Sequence, residues 1–126
     1  MGQLNGSEIL AKALKREGVE ELFFLMGGPM LTAEAATIQE GIRCIDVRHE
    51  QAAAMMAQAY SRLRQKPGFC MAASGPATIN LSTGLANALI DCCPVVALGG
   101  ASPMLGNGKQ VFQEIDQMEI MSGCVK

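Results

Sequence analysis

Apolar positions along this chain either recur at helical spacing or run together over a strand's length, and the switches between the two patterns mark out its elements. From Ser7 to Glu17, Ile9, Leu10, Ala13 and Leu14 return at helical spacing, while Glu8, Lys12, Lys15 and Arg16 take the opposite face. Ser7 is placed to cap this helix, and Gly18 follows the last periodic residue, where a left-handed turn ends a helix with little strain. Leu22-Phe23-Phe24-Leu25-Met26 is then a continuous apolar run of strand length, the pattern of a parallel strand buried on both faces. Gly27-Gly28-Pro29 ends it. A weaker helical segment runs from Leu31 to Glu40 and is closed by Gly41, after which Ile42 to Val47 returns as a short buried strand.

The same alternation continues. Gln51 to Leu63 reads as a helix rich in small residues, with Ala52, Ala53, Ala54, Ala57 and Ala59 set around Met55 and Met56. Small side chains admit a close neighbour and methionine fills irregular gaps, so this helix is expected to pack on more than one side. A central place in a monomer and a face toward a second subunit both fit. Pro67-Gly68 makes a turn into a third strand, Phe69 to Ala73. Beyond the loop Ser74-Gly75-Pro76-Ala77-Thr78-Ile79-Asn80 a helix leads to Ile90, and Cys93 to Leu98 forms a fourth strand ending at Gly99-Gly100. Ala101 to Lys109 has the composition of a loop, and Asp116 to Met121 has room for a short helix. Strands that alternate with helices predict an α/β fold, a parallel sheet flanked by helices on both faces, in one domain over residues 1–126.

Composition narrows the function classes. With 126 residues and 49% apolar content there is material for one core. A net charge of -2 provides no basic field for nucleic acid. No apolar run approaches the ~20 residues needed to cross a bilayer, and the N-terminus lacks the order of a signal peptide, so a cytoplasmic location is expected. Cys44, Cys70, Cys92, Cys93 and Cys124 are an odd number without zinc spacing, and reduced, buried thiols are the expectation.

Candidate chemistry concentrates where strands give way to helices. In Ile45-Asp46-Val47-Arg48-His49-Glu50-Gln51 a strand runs into the alanine-rich helix and leaves Glu50 at the junction. In open parallel sheets ligands bind at the carboxyl ends of strands, so Glu50 is placed to meet one. It would equally complement the positive end of a helix dipole, an effect worth ~0.3–1 kcal/mol. Gly27-Gly28 invites a dinucleotide-binding reading, but the third glycine is absent and Pro29 stands in the turn. Ser74, Thr78 and Asn80 line either a polar ligand-facing loop or a capped turn. His49 is the only histidine, which removes the ligands for a histidine-rich metal site and the base for a serine–histidine hydrolase.

Taken together, Arg48-His49-Glu50-Gln51-Ala52-Ala53, Lys66-Pro67-Gly68, Ser74-Gly75-Pro76, Asn80, Gly84-Leu85-Ala86-Asn87-Ala88, Asp91, Pro94-Val95 and Phe112-Gln113-Glu114 resemble the pyrimidine-binding domain of thiamine diphosphate enzymes. The likeness spans nearly the whole chain and is closest to the acetolactate synthase branch, with oxalyl-CoA decarboxylase and 2-hydroxyacyl-CoA lyase. The resemblance implies that Glu50 hydrogen-bonds the ring nitrogen of the cofactor's aminopyrimidine and favours its imino tautomer, whose exocyclic nitrogen deprotonates the thiazolium carbon. It further implies that Glu50 is shielded from water by its alanine and methionine neighbours. Gly27, Gly28 and Pro29 match the family's glycine-proline loop with the order changed. Ser74-Gly75-Pro76-Ala77 resembles a Ser-Gly-Pro-Gly loop whose last glycine is replaced, so Ala77 should take a conventional φ. Asn80 matches an asparagine near the aminopyrimidine and the dimer contact, and Phe112 and Gln113 match residues bordering the substrate pocket.

The family anchors the diphosphate through Mg²⁺ on a domain marked by Gly-Asp-Gly and a later asparagine, and that motif does not occur here. The resemblance therefore implies that Mg²⁺ and the diphosphate are held by another domain or chain, that this chain is not active alone, and that the complete enzyme is a homodimer or larger. It also implies that the last helix and strand of the domain lie outside these residues. Two functions are then in view. One is the pyrimidine-binding module of a lyase or carboligase acting on 2-oxo acids or on 2-hydroxyacyl- or 2-oxoacyl-CoA. The other is a non-catalytic relative or fragment that keeps the fold for subunit association or regulation.

Overall fold

A computed structural model describes residues 3–126. Helix α1 (Gly6–Arg16) leads to strand β1 (Glu21–Phe24), and a 3-10 turn over Gly28–Met30 passes into α2 (Leu31–Gln39) and then β2 (Arg43–Asp46). The long α3 (Glu50–Arg64) precedes β3 (Gly68–Ser74), the single turn α4 (Pro76–Ile79), α5 (Ser82–Ile90), β4 (Val95–Gly100) and, after a loop, α6 (Gln117–Met121). All four strands are parallel, in the order β2-β1-β3-β4. This is the α/β class that the alternating pattern predicts.

Period two in the strands divides the core between the two faces of the sheet. Leu22, Phe24 and Met71 turn to one face, where they meet Leu14 of α1, Ala33 of α2 and the flanking Val19 and Ile42. Phe23, Cys70 and Ala72 turn to the other, against Ala53, Ala54 and Ala57 of α3 and Leu81 and Leu85 beside and within α5. Wholly buried side chains such as Leu22 and Leu81 each contribute roughly 1.5–3 kcal/mol.

Helix α3 is packed on two sides within the chain. A Cβ on Gly68 would lie 2.0 Å from the Ala57 carbonyl oxygen, and one on Gly84 of α5 would lie 2.5 Å from the Ala54 Cβ. The two glycines let a strand and a helix press directly onto the alanine face. Three polar side chains close this seam at the far end of α5, where Gln58 donates to Asp91 at 2.8 Å and accepts from Asn87 at 2.8 Å.

Several expectations are corrected. The cap of α1 is Asn5, in a reciprocal box with Glu8, while the Ser7 hydroxyl meets Thr32 of α2 at 2.9 Å. Asn5-x-x-Glu8 satisfies two orphan backbone donors, which a cap at Ser7 would not. Strand β1 stops at Phe24, and Met26 is exposed. Strands β2 and β4 are edge strands: β2 has no fully buried residue, and Val96 of β4 is 42% exposed. Among the cysteines only Cys70 is buried, Cys44, Cys93 and Cys124 are partly covered, and Cys92 is exposed. All five are free thiols. Burial pushes the Cys70 thiol up to about 12 and, with the charge of Glu34 as a second cause, the Cys44 thiol up to about 11.

Candidate functional site at the carboxyl ends of the strands

Each parallel strand delivers its chain to the same rim of the sheet, and small residues let three of these ends converge. A Cβ on Gly27, after β1, would fall 2.4 Å from the Ala73 Cβ of β3. One on Gly100, at the end of β4, would fall 3.1 Å from side-chain atoms of Pro29 and Met30 and 3.2 Å from the Ser74 nitrogen. Gly27, Pro29, Ser74 and Gly100 are thus brought together. Gly28 differs, because beyond its two chain neighbours nothing among the described residues lies within 4 Å of where its side chain would begin. The lack of a side chain at Gly28 is not required by the chain's own packing.

Glu50 is the first residue of α3, and His49 caps that helix in an extended conformation, its Nδ1 accepting from the Gln51 N–H at 3.2 Å. The carboxylate therefore sits at the positive end of a helix of 15 residues. It is also covered, at 9% exposure. Asn80, directly after α4, donates from Nδ2 to Glu50 Oε2 at 2.9 Å. Glu50 Oε1 makes no hydrogen bond among the described residues. A covered carboxylate with one oxygen oriented and the other open is equipped to hold or exchange a proton with a partner atom.

The Ser-Gly-Pro segment carries the tightest backbone on the rim. Gly75 has φ 59° and ψ -117°, a region open to glycine, while Ala77 is helical, as its Cβ requires. Pro76 opens α4, where its missing N–H is no loss. The Thr78 hydroxyl donates to the Ala73 carbonyl at 2.6 Å. Ser74, 2% exposed, meets the side chain of Gln113 through a 3.2 Å hydrogen bond from its hydroxyl to Oε1. Gln113 also lines an open cleft of about 430 Å³ with Ala101, Ser102, Asp116 and Gln117. Phe112, by contrast, is 86% exposed and lines neither this cleft nor the core.

Two contacts on this rim escape a reading of the sequence. Gln117 accepts from the Gly75 N–H at 2.7 Å and donates to the Gly100 carbonyl at 2.8 Å. Glu114 accepts from the backbone N–H groups of Gly108 at 2.5 Å and Val111 at 3.1 Å, closing the loop that presents Phe112 and Gln113. Those backbone donors, Gly108 first, hold the Glu114 carboxyl below its ordinary value of 4.5. Neither contact has a local signal: a glutamine in a short apolar helix and a glutamate in a loop are commonplace. Among the described residues no cluster of three or more histidine, cysteine or acidic side chains is disposed to hold a metal ion, and no helix is long and apolar enough to cross a membrane.

Comparison with known proteins follows the same residues. The family model described as "Thiamine pyrophosphate enzyme, N-terminal TPP binding domain" matches residues 4–120. The chain is 40% identical over 125 residues to "Acetolactate synthase isozyme 2 large subunit" of Escherichia coli (strain K12), covering 98% of this chain and 22% of that protein. It is 41% identical over 122 residues to "Acetolactate synthase, chloroplastic" of Arabidopsis thaliana, covering 96% of this chain and 18% of the relative. It is 38% identical over 117 residues to "2-hydroxyacyl-CoA lyase 1" of Homo sapiens, covering 93% and 20%. The chain spans about a fifth of the length of these relatives.

Proposed function

The chain belongs to the thiamine pyrophosphate enzyme family as an N-terminal TPP-binding domain, and from that premise we propose that its rim receives the aminopyrimidine end of the cofactor, with Glu50 as the proton-handling group. The observation that carries the reading is the covered Glu50 carboxylate, aimed by Asn80 through one oxygen and open at the other. When bound, thiamine diphosphate supplies a nucleophile and electron sink for making and breaking carbon–carbon bonds beside a carbonyl, chemistry no side chain offers. Glu50 holds a proton at the pyrimidine ring nitrogen, and Asn80 fixes the carboxylate that does so. Gly27, Gly28 and Pro29 form a wall the cofactor can approach closely, and the open space beside Gly28 favours that role. Ser74 and Pro76 shape the opposite lip. Gln113, at the cleft, and Phe112 face the substrate, Phe112 by contact with a group outside this chain.

The proposal extends to the whole protein. Its reaction is that of a lyase or carboligase on 2-oxo acids or on 2-hydroxyacyl- or 2-oxoacyl-CoA, a reading supported by relatives named as an acetolactate synthase and a 2-hydroxyacyl-CoA lyase. Mg²⁺ and the diphosphate are held by another domain or subunit, in a homodimer or larger assembly, and this chain alone does not turn over substrate. The five free thiols favour a cytoplasmic site of action. Calorimetric titration with thiamine diphosphate and Mg²⁺, with and without the diphosphate-binding domain, tests the reading. Binding is expected in the combined sample and is lost when Glu50→Ala replaces the parent. Equal binding by Glu50→Ala would contradict it.

A second reading, a module for subunit association without catalysis, draws on the apolar side chains exposed around the rim, with Met104 at 94%, Leu105 at 89% and Phe112 at 86%. Under that reading the same titration shows no cofactor binding in either sample, while the two chains still associate.

A further inference from the structure

We propose that Gln117 is a positioning residue: a two-point clamp that sets the peptide at Gly75 and, through the single turn of α4, seats Asn80 on Glu50. The inference rests on the reading of Glu50 and Asn80 as the pyrimidine-facing pair. Ser74 and Gly100 are the last registered pair between β3 and β4, and beyond them the Gly75 N–H and the Gly100 carbonyl need partners outside the ladder. Gln117 supplies both, accepting from the first at 2.7 Å and donating to the second at 2.8 Å. The two contacts also fix which way its amide faces, because only the oxygen can accept and only the nitrogen can donate.

The chain makes room for this clamp. A Cβ on Gly99 would lie 2.7 Å from the Thr78 hydroxyl and 3.4 Å from Gln117 Nε2, so a glycine there admits both side chains. Gly75 is where the restraint matters, since glycine at φ 59° has other backbone wells within reach and a hydrogen bond to its N–H selects one. From Gly75 the geometry passes along one hydrogen-bonded turn: the Ile79 N–H donates to the Gly75 carbonyl at 3.0 Å and the Asn80 N–H to the Pro76 carbonyl at 2.9 Å. Asn80 then reaches Glu50 at 2.9 Å. Gln117 itself is steadied by Asp116, whose Oδ1 accepts from the Glu119 N–H at 2.9 Å and caps α6.

A side chain that merely satisfied two backbone groups would affect stability alone. A positioning residue also moves Asn80, and the Asn80 side-chain amide signal in NMR spectra of the chain reads that directly. In Gln117→Met, of similar shape but without either contact, Gly75 amide exchange is expected to quicken about tenfold, and the Asn80 signal to shift in the direction seen in Glu50→Ala. Gln58→Met, which breaks polar contacts at the other end of the α3–α5 seam, should cost stability and leave the Asn80 signal in place. Gln117→Glu keeps an acceptor for Gly75 but turns its second carboxylate oxygen toward the Gly100 carbonyl, so the Gly100 point of the clamp is lost by repulsion, and Asn80 stays put wherever Gly75 stays protected. It serves as the deciding variant if Gln117→Met folds poorly. The clamp is overturned if Gln117→Met frees Gly75 while Asn80 does not move, or if Gln117→Glu moves Asn80 with Gly75 still protected. A Glu50→Ala chain in which the Asn80 signal does not change overturns the Glu50–Asn80 pair itself, a separate failure that removes the functional reading as well.

Discussion

The seam around α3 and the rim at the carboxyl ends of the strands are both built on glycine, yet they are held in different ways. In the seam, Gly68 and Gly84 are absences that let alanine and backbone meet, and the contact is one of shape. On the rim, side chains grip backbone: Gln117 holds Gly75 and Gly100, Glu114 holds Gly108 and Val111, Thr78 holds Ala73. Shape contacts tolerate little change, because a well-packed interior has no spare volume. Hydrogen-bonded loops are individually worth less, about 0.5–1.5 kcal/mol per bond, but each bond sets a direction. At Gly68 and Gly84 the seam is held by shape, whereas the rim adds to its own close glycine contacts hydrogen bonds that set direction.

The largest expected effect comes from filling the seam. Gly68→Ala drives a Cβ into the Ala57 carbonyl oxygen and should cost ~3 kcal/mol or more, read as a lower denaturation midpoint. Gly84→Ala meets the Ala54 Cβ first, at 2.5 Å, with the Met55 nitrogen and the Ala54 carbonyl carbon behind it at 3.0 and 3.1 Å, so adding Ala54→Gly should recover part of the loss. Failure of that rescue would break the claim that the seam is a matter of shape.

A change on the rim should be smaller in stability and larger in local order. Gly75→Ala demands a strained φ, which by itself costs ~1–3 kcal/mol, and meets the Gln113 carbonyl oxygen at 2.2 Å, a contact that the loop around Gln113 must shift to relieve. Amide exchange should rise in α4 and α6 while α1 and α2 keep their protection. Uniform loss across the chain would erase the distinction between the two regions.

The smallest effect is acidic loosening of the loop closed by Glu114. Its folded carboxyl lies below the ordinary 4.5, so its contribution is present in full above pH 4.5 and is lost as pH falls through the lower folded value. Protection of the Gly108 and Val111 amides should fade in that range, and Glu114→Gln should remove the pH dependence without unfolding the sheet.

The two regions also differ in how far the sequence reveals them. The seam is legible, because a helix rich in alanine and continuous apolar runs of strand length are local signals. Which strands lie at the edges is only partly so: β2 carries Arg43 and Asp46 at its ends, but β4 is as apolar as its neighbours and only the order β2-β1-β3-β4 exposes Val96. Glu50 can be placed at a strand–helix junction by pattern alone. Its contact with Asn80 spans 30 residues and that of Gln117 with Gly75 spans 42, and no periodicity connects positions so far apart. Phe112 shows the converse, a residue singled out by resemblance that this chain leaves in solvent.

The central claim is that Glu50 is a proton-handling group and not only a charge at a helix terminus. Exchange of the thiamine diphosphate C2 proton for deuterium, followed by NMR after acid quench in the assembled enzyme, tests it most directly. Glu50→Gln keeps the shape of the side chain and an oxygen for Asn80 but cannot exchange the proton. The account predicts that exchange slows by ~10²–10⁴-fold while cofactor binding changes far less. Exchange in Glu50→Gln as fast as in the parent would contradict it and leave Glu50 as a helix-terminus charge.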